Sequence, residues 1–217
     1  MYQVIPAILE IDFLEIERKI ESLQAVSDYF HIDFIDGVFA ANKTFLDPTP
    51  FAKFTKGNFL EAHLMVSDPI KYLDPLANAG FKRFIGQIEM MADQVAFVAS
   101  GERLGEVGLA LDGKTPLDKL LAPLDDLDIL LFMTIDAGFS GQKFNPSYIE
   151  KIKSLVPNFV NIEVDGGIND RTIQIARQCG GNIFTSDSFL FQSKDPVKAY
   201  LKLKEKVLET QGEQIGS

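Results

Sequence analysis

Cysteine is almost absent from this chain. Cys179 is the only one in 217 residues, which excludes an intrachain disulfide and points to a reducing compartment. Its expected role is that of a small buried hydrophobe. Positive charge is also in short supply, with 21 Lys and Arg against 31 Asp and Glu, a net charge of −10 and a pI near 4.7. That balance argues against nucleic acid or an anionic membrane as the main partner, because both need clustered basic side chains. Long apolar runs are missing as well. No window reaches the roughly 18 apolar residues of a membrane span, and Met1-Tyr2-Gln3-Val4-Ile5-Pro6 lacks the basic and apolar regions of a signal peptide. A cytoplasmic location is the expectation.

Histidine is scarce, and its placement is informative. The only two histidines lie beside carboxylates in short apolar runs, Phe30-His31-Ile32-Asp33-Phe34 and Glu61-Ala62-His63-Leu64-Met65. A third run, Ile162-Glu163-Val164-Asp165-Gly166-Gly167, ends in an aspartate. Alternate side chains of a strand share a face, so His31 points with Asp33, Glu61 with His63 and Met65, and Glu163 with Asp165. Two imidazoles and two carboxylates at strand ends make a divalent-metal site plausible chemistry.

With 46% apolar residues, the chain can bury a core as one domain, expected over residues 1–210, with 211–217 as a frayed tail. Eight strand candidates recur: Gln3–Ile5, Tyr29–Ile35, Phe59–Val66, Arg83–Ile88, Val107–Leu111, Ile129–Thr134, Asn161–Val164 and Asn182–Thr185. Helix candidates lie between them, at Asp12–Ala25 and beginning near Pro48, Pro69, Ala92, Leu117, Pro146, Asp170 and Asp195. Eight strand-helix units fit an α/β (β/α)8 barrel, with a doubly wound open sheet as the competing arrangement. In such a barrel the polar residues at strand C-termini form the active face. Asp36, directly before Gly37 and on the other strand face from Asp33, reads as a turn organiser. Glu61 and Glu163 face inward one layer below the candidate ligands, either orienting them or forming an ion pair across the barrel.

Four runs in order, His31-Ile-Asp33-Phe-Ile-Asp36-Gly37-Val-Phe39, His63-Leu-Met65-Val66, Ala137-Gly138-Phe139-Ser140-Gly141-Gln142-Lys143-Phe144 and Glu163-Val-Asp165-Gly166-Gly167-Ile168, resemble the ribulose-phosphate 3-epimerase family. The resemblance spans nearly the whole chain. It implies a TIM barrel of the ribulose-phosphate-binding type and one divalent ion, Zn²⁺, Fe²⁺, Mn²⁺ or Co²⁺, held by His31, Asp33, His63 and Asp165. It further implies that Asp33 and Asp165 act as acid and base on opposite faces of a ketose phosphate, the family's D-ribulose 5-phosphate and D-xylulose 5-phosphate. Such chemistry needs two groups flanking the inverted carbon. The resemblance also implies substrate and phosphate contacts at His63, Gly138, Ser140, Gly141, Gly166, Gly167 and Ser188, methionines Met65 and Met133 lining the reacting carbon, and possible homo-oligomers.

The departures cluster around the substrate. Ala7 stands where the family has a serine, Ile35 where it has a methionine, Ala40 and Ala41 where it has Val-Pro, and Asp112 and Asp136 where it has asparagines. Asp187 replaces the glycine of the final Gly-Ser pair. A carboxylate about 5 Å from one phosphate charge costs about 3 kcal/mol at an effective dielectric near 20, unless it turns outward or pairs with a cation. Alternative functions are therefore an epimerase of another ketose or ketose phosphate, and a noncatalytic sugar- or metal-binding barrel.

Overall fold

In the computed structural model, which describes residues 2–139, 141–156, 159 and 161–209, eight parallel strands close on themselves in sequence order. They are β1 (Gln3–Ile8), β2 (Tyr29–Ile35), β3 (Phe59–Met65), β4 (Arg83–Gln87), β5 (Glu106–Leu111), β6 (Ile129–Met133), β7 (Ile162–Asp165) and β8 (Ile183–Ser186). β1 pairs with β8, so no edge strand is left exposed. The open doubly wound sheet is thereby eliminated. The strand candidates agree within a few residues, except that β1 continues three residues beyond Ile5 to Ile8.

Side-chain parity builds two cores. Phe30, Phe34, Phe84, Phe132 and Phe184 point out of the barrel and are fully buried under the surrounding layer. Each such ring contributes about 1.5–3 kcal/mol relative to exposure. Ile5, Ile85, Ala110, Leu131, Met133 and Ile183 point inward and fill the barrel, as in packed barrels of this type. Between these apolar residues, β2, β3, β4 and β7 also point polar side chains inward: His31 and Asp33, Glu61 and His63, Arg83 and Gln87, and Glu163 and Asp165.

The outer layer contains α1 (Phe13–Leu23), α2 (Ile70–Ala79), α3 (Gln94–Gly101), α4 (Thr172–Cys179), the single-turn α5 (Ser188–Phe191) and α6 (Pro196–Leu208). Asp12, Asp93 and Asp195 cap α1, α3 and α6 by accepting from Leu14, Ala96 and Lys198 N–H groups at 2.9–3.0 Å. The helices expected near Pro48, Leu117 and Pro146 are instead 3₁₀ segments, at Thr49–Phe54, at Leu117–Lys119 with Leu124–Asp126, and at Pro146–Ser154. Pro116 and Pro123 directly precede the two short segments after β5 and interrupt any longer helix there. In Pro146–Ser154 the buried residues are Ile149 and Ile152, a spacing of three that matches the 3₁₀ repeat better than the α repeat. Cys179 is buried, as expected. Residues 210–217, which contain the expected tail, lie outside the described residues. Among the described residues no helix is long and apolar enough to cross a membrane.

Candidate active site

The register of neighbouring strands sets the site. Asp33 of β2 stands beside His63 of β3, His31 beside Glu61, and Met133 of β6 beside Asp165 of β7. One ligand atom from each of His31, Asp33, His63 and Asp165 lies within 4.8 Å of the others. All four candidate ligands are thus brought together near the C-terminal ends of their strands.

Two nitrogens converge on one oxygen. His63 Nδ1 is 2.9 Å and His31 Nε2 3.3 Å from Asp33 Oδ1. The opposite nitrogens are held from behind, His31 Nδ1 by Glu61 Oε1 at 2.7 Å and His63 Nε2 by Gln87 Oε1 at 2.8 Å. That is the arrangement metal-binding imidazoles need, with one nitrogen oriented by an acceptor and the other aimed at the ion. Two imidazoles and two carboxylates at this spacing fit a divalent transition ion.

The two aspartates are driven in opposite directions. Burial opposes ionisation of Asp33, but hydrogen bonds and charge from His31 and His63 outweigh it and hold the carboxyl far below the usual carboxylate range. Burial and then the charge of Asp33 push Asp165 upward, only partly offset by the imidazoles and by Thr185. Thr185 Oγ1 donates to Asp165 Oδ1 at 2.7 Å. The two carboxyls thus sit in unlike environments within one cluster. Burial would depress both imidazoles, yet Asp33 raises each above the ordinary histidine value, with Glu163 and Glu61 adding to the effect at His31. Protons would therefore compete with any metal ion for the same nitrogens.

Below this layer the barrel holds a charged stack. Glu61 bonds His31 through one oxygen and Arg83 Nη1 through the other, at 2.5 Å, and Arg83 reaches Glu106 at 2.7 Å. Glu61 therefore both holds the ring of a candidate ligand and forms an ion pair, although its partner Arg83 stands on the neighbouring strand β4 rather than across the barrel. Glu163 Oε1 is 3.1 Å from His31 Nδ1, but that nitrogen is aimed at Glu61 and neither Glu163 oxygen has a hydrogen-bond partner in the structure. Burial and the neighbouring Glu61 charge raise Glu163 to about 7. Arg83, Gln87 and Thr185 were not singled out from the sequence. Inward parity with Ile85 was the available signal for the first two.

Above the aspartates a pocket of about 460 Å³, counted to its open mouth, runs toward the loops after β6, β7 and β8. Its inner end is lined by Ala7, Asp33, Met65, Met133 and Asp165. Its outer end is lined by Gly138, Gly141, Gly166, Gly167, Asp187 and Ser188. The four glycines have φ between 63° and 110°, a region closed to most side chains, and they let backbone approach a ligand closely. His63 and His31 are completely buried beneath this pocket. Ser140 lies outside the described residues. Asp36 is a turn organiser, as expected. Its Oδ1 accepts from Val38 and Phe39 N–H, and its Oδ2 accepts from Ser67 N–H at 2.7 Å, tying the loops after β2 and β3 together.

Known proteins resemble the chain at both levels. Its closed barrel superposes on a ligand complex of KGPDC from Streptococcus mutans with a TM-score of 0.77 at 14% identity, over 97% of this chain and 99% of that one. The 3-hexulose-6-phosphate synthase of Salmonella typhimurium aligns with a TM-score of 0.70 at 16% identity over 96% and 99%. At such identities these likenesses concern the fold. Sequence relatives are nearer: the ribulose-phosphate 3-epimerase of Schizosaccharomyces pombe is 31% identical, covering 96% of this chain and 95% of the relative. The cytoplasmic isoform from Oryza sativa subsp. japonica is 32% identical, covering 94% of each. The sequence profile of the ribulose-phosphate 3-epimerase family matches residues 3–191, and the chain belongs to that family.

Proposed function

We propose that the chain is a metal-dependent 3-epimerase interconverting D-ribulose 5-phosphate and D-xylulose 5-phosphate, with Asp33 and Asp165 as its two proton-transfer groups. The observation that carries this reading is geometric: Asp33 on β2 and Asp165 on β7 meet His31 and His63 in one four-residue cluster, and both carboxyls line the pocket. Epimerisation beside a carbonyl needs a base on one face of the carbon and an acid on the other. Asp33 takes the C3 proton, the C–H electron pair forms the C2–C3 double bond, and the C2=O π pair moves onto its oxygen to give an enediolate, a shift that reverses when C3 is reprotonated. Asp165 then gives its proton to the opposite face of C3. The product leaves with inverted C3, while Asp33 is protonated and Asp165 ionised, the state that catalyses the reverse reaction.

A divalent ion held by His31, Asp33, His63 and Asp165 would supply positive charge for the developing enediolate oxygens. The chain's own contribution is orientation. Glu61 and Gln87 fix the two imidazoles, Thr185 holds Asp165, and Met65 and Met133, each nearly inaccessible, keep water from the reacting carbon. The glycine-lined outer end of the pocket would receive the phosphate. On this reading the barrel is one catalytic domain acting in the cytoplasm.

The test is exchange of solvent deuterium into C3 of D-ribulose 5-phosphate by zinc- or manganese-loaded protein. Asp33→Asn and Asp165→Asn are each expected to lower exchange about 100- to 10,000-fold, with metal content measured in parallel to separate lost ligation from lost proton transfer. Undiminished exchange in both variants at full metal loading would falsify the two-aspartate assignment.

A further inference from the structure

Helix α1 buries a lysine in its apolar stripe. Ile16, Lys19, Ile20 and Leu23 are the buried residues of that helix, and the Lys19 side chain is only 7% exposed. A buried ammonium must be paired, or its desolvation is uncompensated. Lys19 Nζ lies 2.8 Å from Asp187 Oδ1 and 2.8 Å from Glu10 Oε1, and 4.6 Å from the centre of the Phe191 ring. The link to Asp187 spans 168 positions of sequence. It joins α1 to the end of β8, where Asp187 also lines the outer end of the substrate pocket.

That pocket is acidic. Asp33, Asp165 and Asp187 line it, and no lysine or arginine does among the described residues. A dianionic substrate group at its outer end would meet the Asp187 carboxylate. Lys19 supplies the opposite charge there from behind the wall, already seated and desolvated. We propose, on the reading of the substrate as a ketose phosphate, that Lys19 is a specificity-determining positioning residue, whose pairing with Asp187 offsets that carboxylate's charge at the outer end of the pocket and lets a phosphate occupy it.

The pairing rather than either residue alone is the device. Removing Lys19 takes away the positive charge set against Asp187 and Glu10, which penalises an anion but not a neutral sugar. Removing the Asp187 charge as well takes away the repulsion that Lys19 is there to cancel. The expected pattern is therefore selective for phosphate and reversible by a second substitution.

The experiment compares wild type, Lys19→Met, Asp187→Asn and the double variant. KM and kcat are measured for D-ribulose 5-phosphate and for unphosphorylated D-ribulose, and binding of inorganic phosphate is measured by calorimetry. Lys19→Met should raise KM for the phosphorylated sugar roughly 10- to 100-fold with little change in kcat, leave D-ribulose unaffected, and weaken inorganic phosphate in proportion. The double variant should recover most of that loss, and Asp187→Asn alone should bind phosphate at least as tightly as wild type. Equal losses for the two sugars, or no recovery in the double variant, overturn the proposal. If Lys19→Met does not fold, Asp187→Asn decides alone: weaker phosphate binding would make Asp187 a direct ligand and defeat the idea. Wild type that binds inorganic phosphate in this Lys19-dependent way without turning over D-ribulose 5-phosphate would remove the proposed reaction and leave the pairing intact.

Discussion

Glu61 Oε1 and His31 Nδ1 stand 2.7 Å apart on neighbouring strands, and the other Glu61 oxygen is held by Arg83. Arg83 is itself nearly buried, so the chain Glu106, Arg83, Glu61, His31 links charges from the barrel wall to the ring of a candidate metal ligand. Because Glu61 accepts the Nδ1 proton, Nε2 is the nitrogen left to face Asp33 and an ion. Burial opposes its charge, but Arg83 and His31 keep Glu61 low, at about 2, so it stays an acceptor throughout the neutral range.

Glu61→Gln keeps the shape and an acceptor oxygen but removes the charge that fixes the ring. Divalent-metal affinity is expected to fall about 10- to 100-fold, the usual effect of disturbing such an outer partner. Competition with a chromophoric chelator measures it. Glu61→Ala should in addition destabilise the fold by about 3–5 kcal/mol, because Arg83 loses its buried partner. Unchanged metal affinity in a Glu61→Gln protein that melts normally would show that the ring needs no orientation from below.

Much of this layout was legible in the sequence because strands have a strict period of two. His31 and Asp33, Glu61 and His63, and Glu163 and Asp165 share faces by parity alone, and eight apolar runs at regular spacing leave few architectures. Arg83 and Gln87 obey the same parity, but their partners lie on other strands, and only barrel closure and register bring them to Glu61 and His63. Lys19 and Asp187 were illegible as a pair for the same reason. Asp187 looked like a charge set against phosphate, while its compensating cation sits on the first helix. The three connections that became 3₁₀ segments show the limit of apolar spacing, which does not separate a repeat of 3 from one of 3.6 over two turns.

Glu163 gives metal-free protein a distinctive pH response. Burial and the Glu61 charge raise its folded value to about 7, from an ordinary 4.5. A raised carboxyl means that the folded state keeps a proton the unfolded chain releases. Its contribution to stability is thus fully present below about pH 4.5 and is lost progressively as pH rises through 7. Glu163→Gln keeps the neutral shape at every pH. The variant should melt higher than wild type above pH 7, and the gap should shrink steadily on acidification. Thermal melts of chelator-treated protein between pH 4 and 9 check this, and a gap that widens toward low pH would show that Glu163 is ionised in the fold.

Gly166 connects Asp165, the proposed acid, to the pocket wall at a position no other residue fits well. Its φ is +101°, and an added Cβ would lie 2.5 Å from the Ile135 Cγ1 and 3.0 Å from Thr134 Oγ1. Thr134 Oγ1 donates to the Gly166 carbonyl, so the hydroxyl that would be crowded also anchors the turn. Gly166→Ala therefore combines the roughly 1–2 kcal/mol cost of a left-handed non-glycine backbone with a shift of Ile135, which lines the same pocket. The melting temperature should fall by about 2–4 °C for each kcal/mol lost in a domain of this size. The pocket should respond more strongly than the fold. Asp165 is one peptide away, and a displacement of about 1 Å at a reacting group can cost about 100-fold in rate. Steady-state kinetics alongside thermal melts separate the two effects: kcat falling far more than stability is the expected result. A variant that loses stability but keeps kcat would show that the turn after Asp165 supports the barrel without positioning that carboxyl.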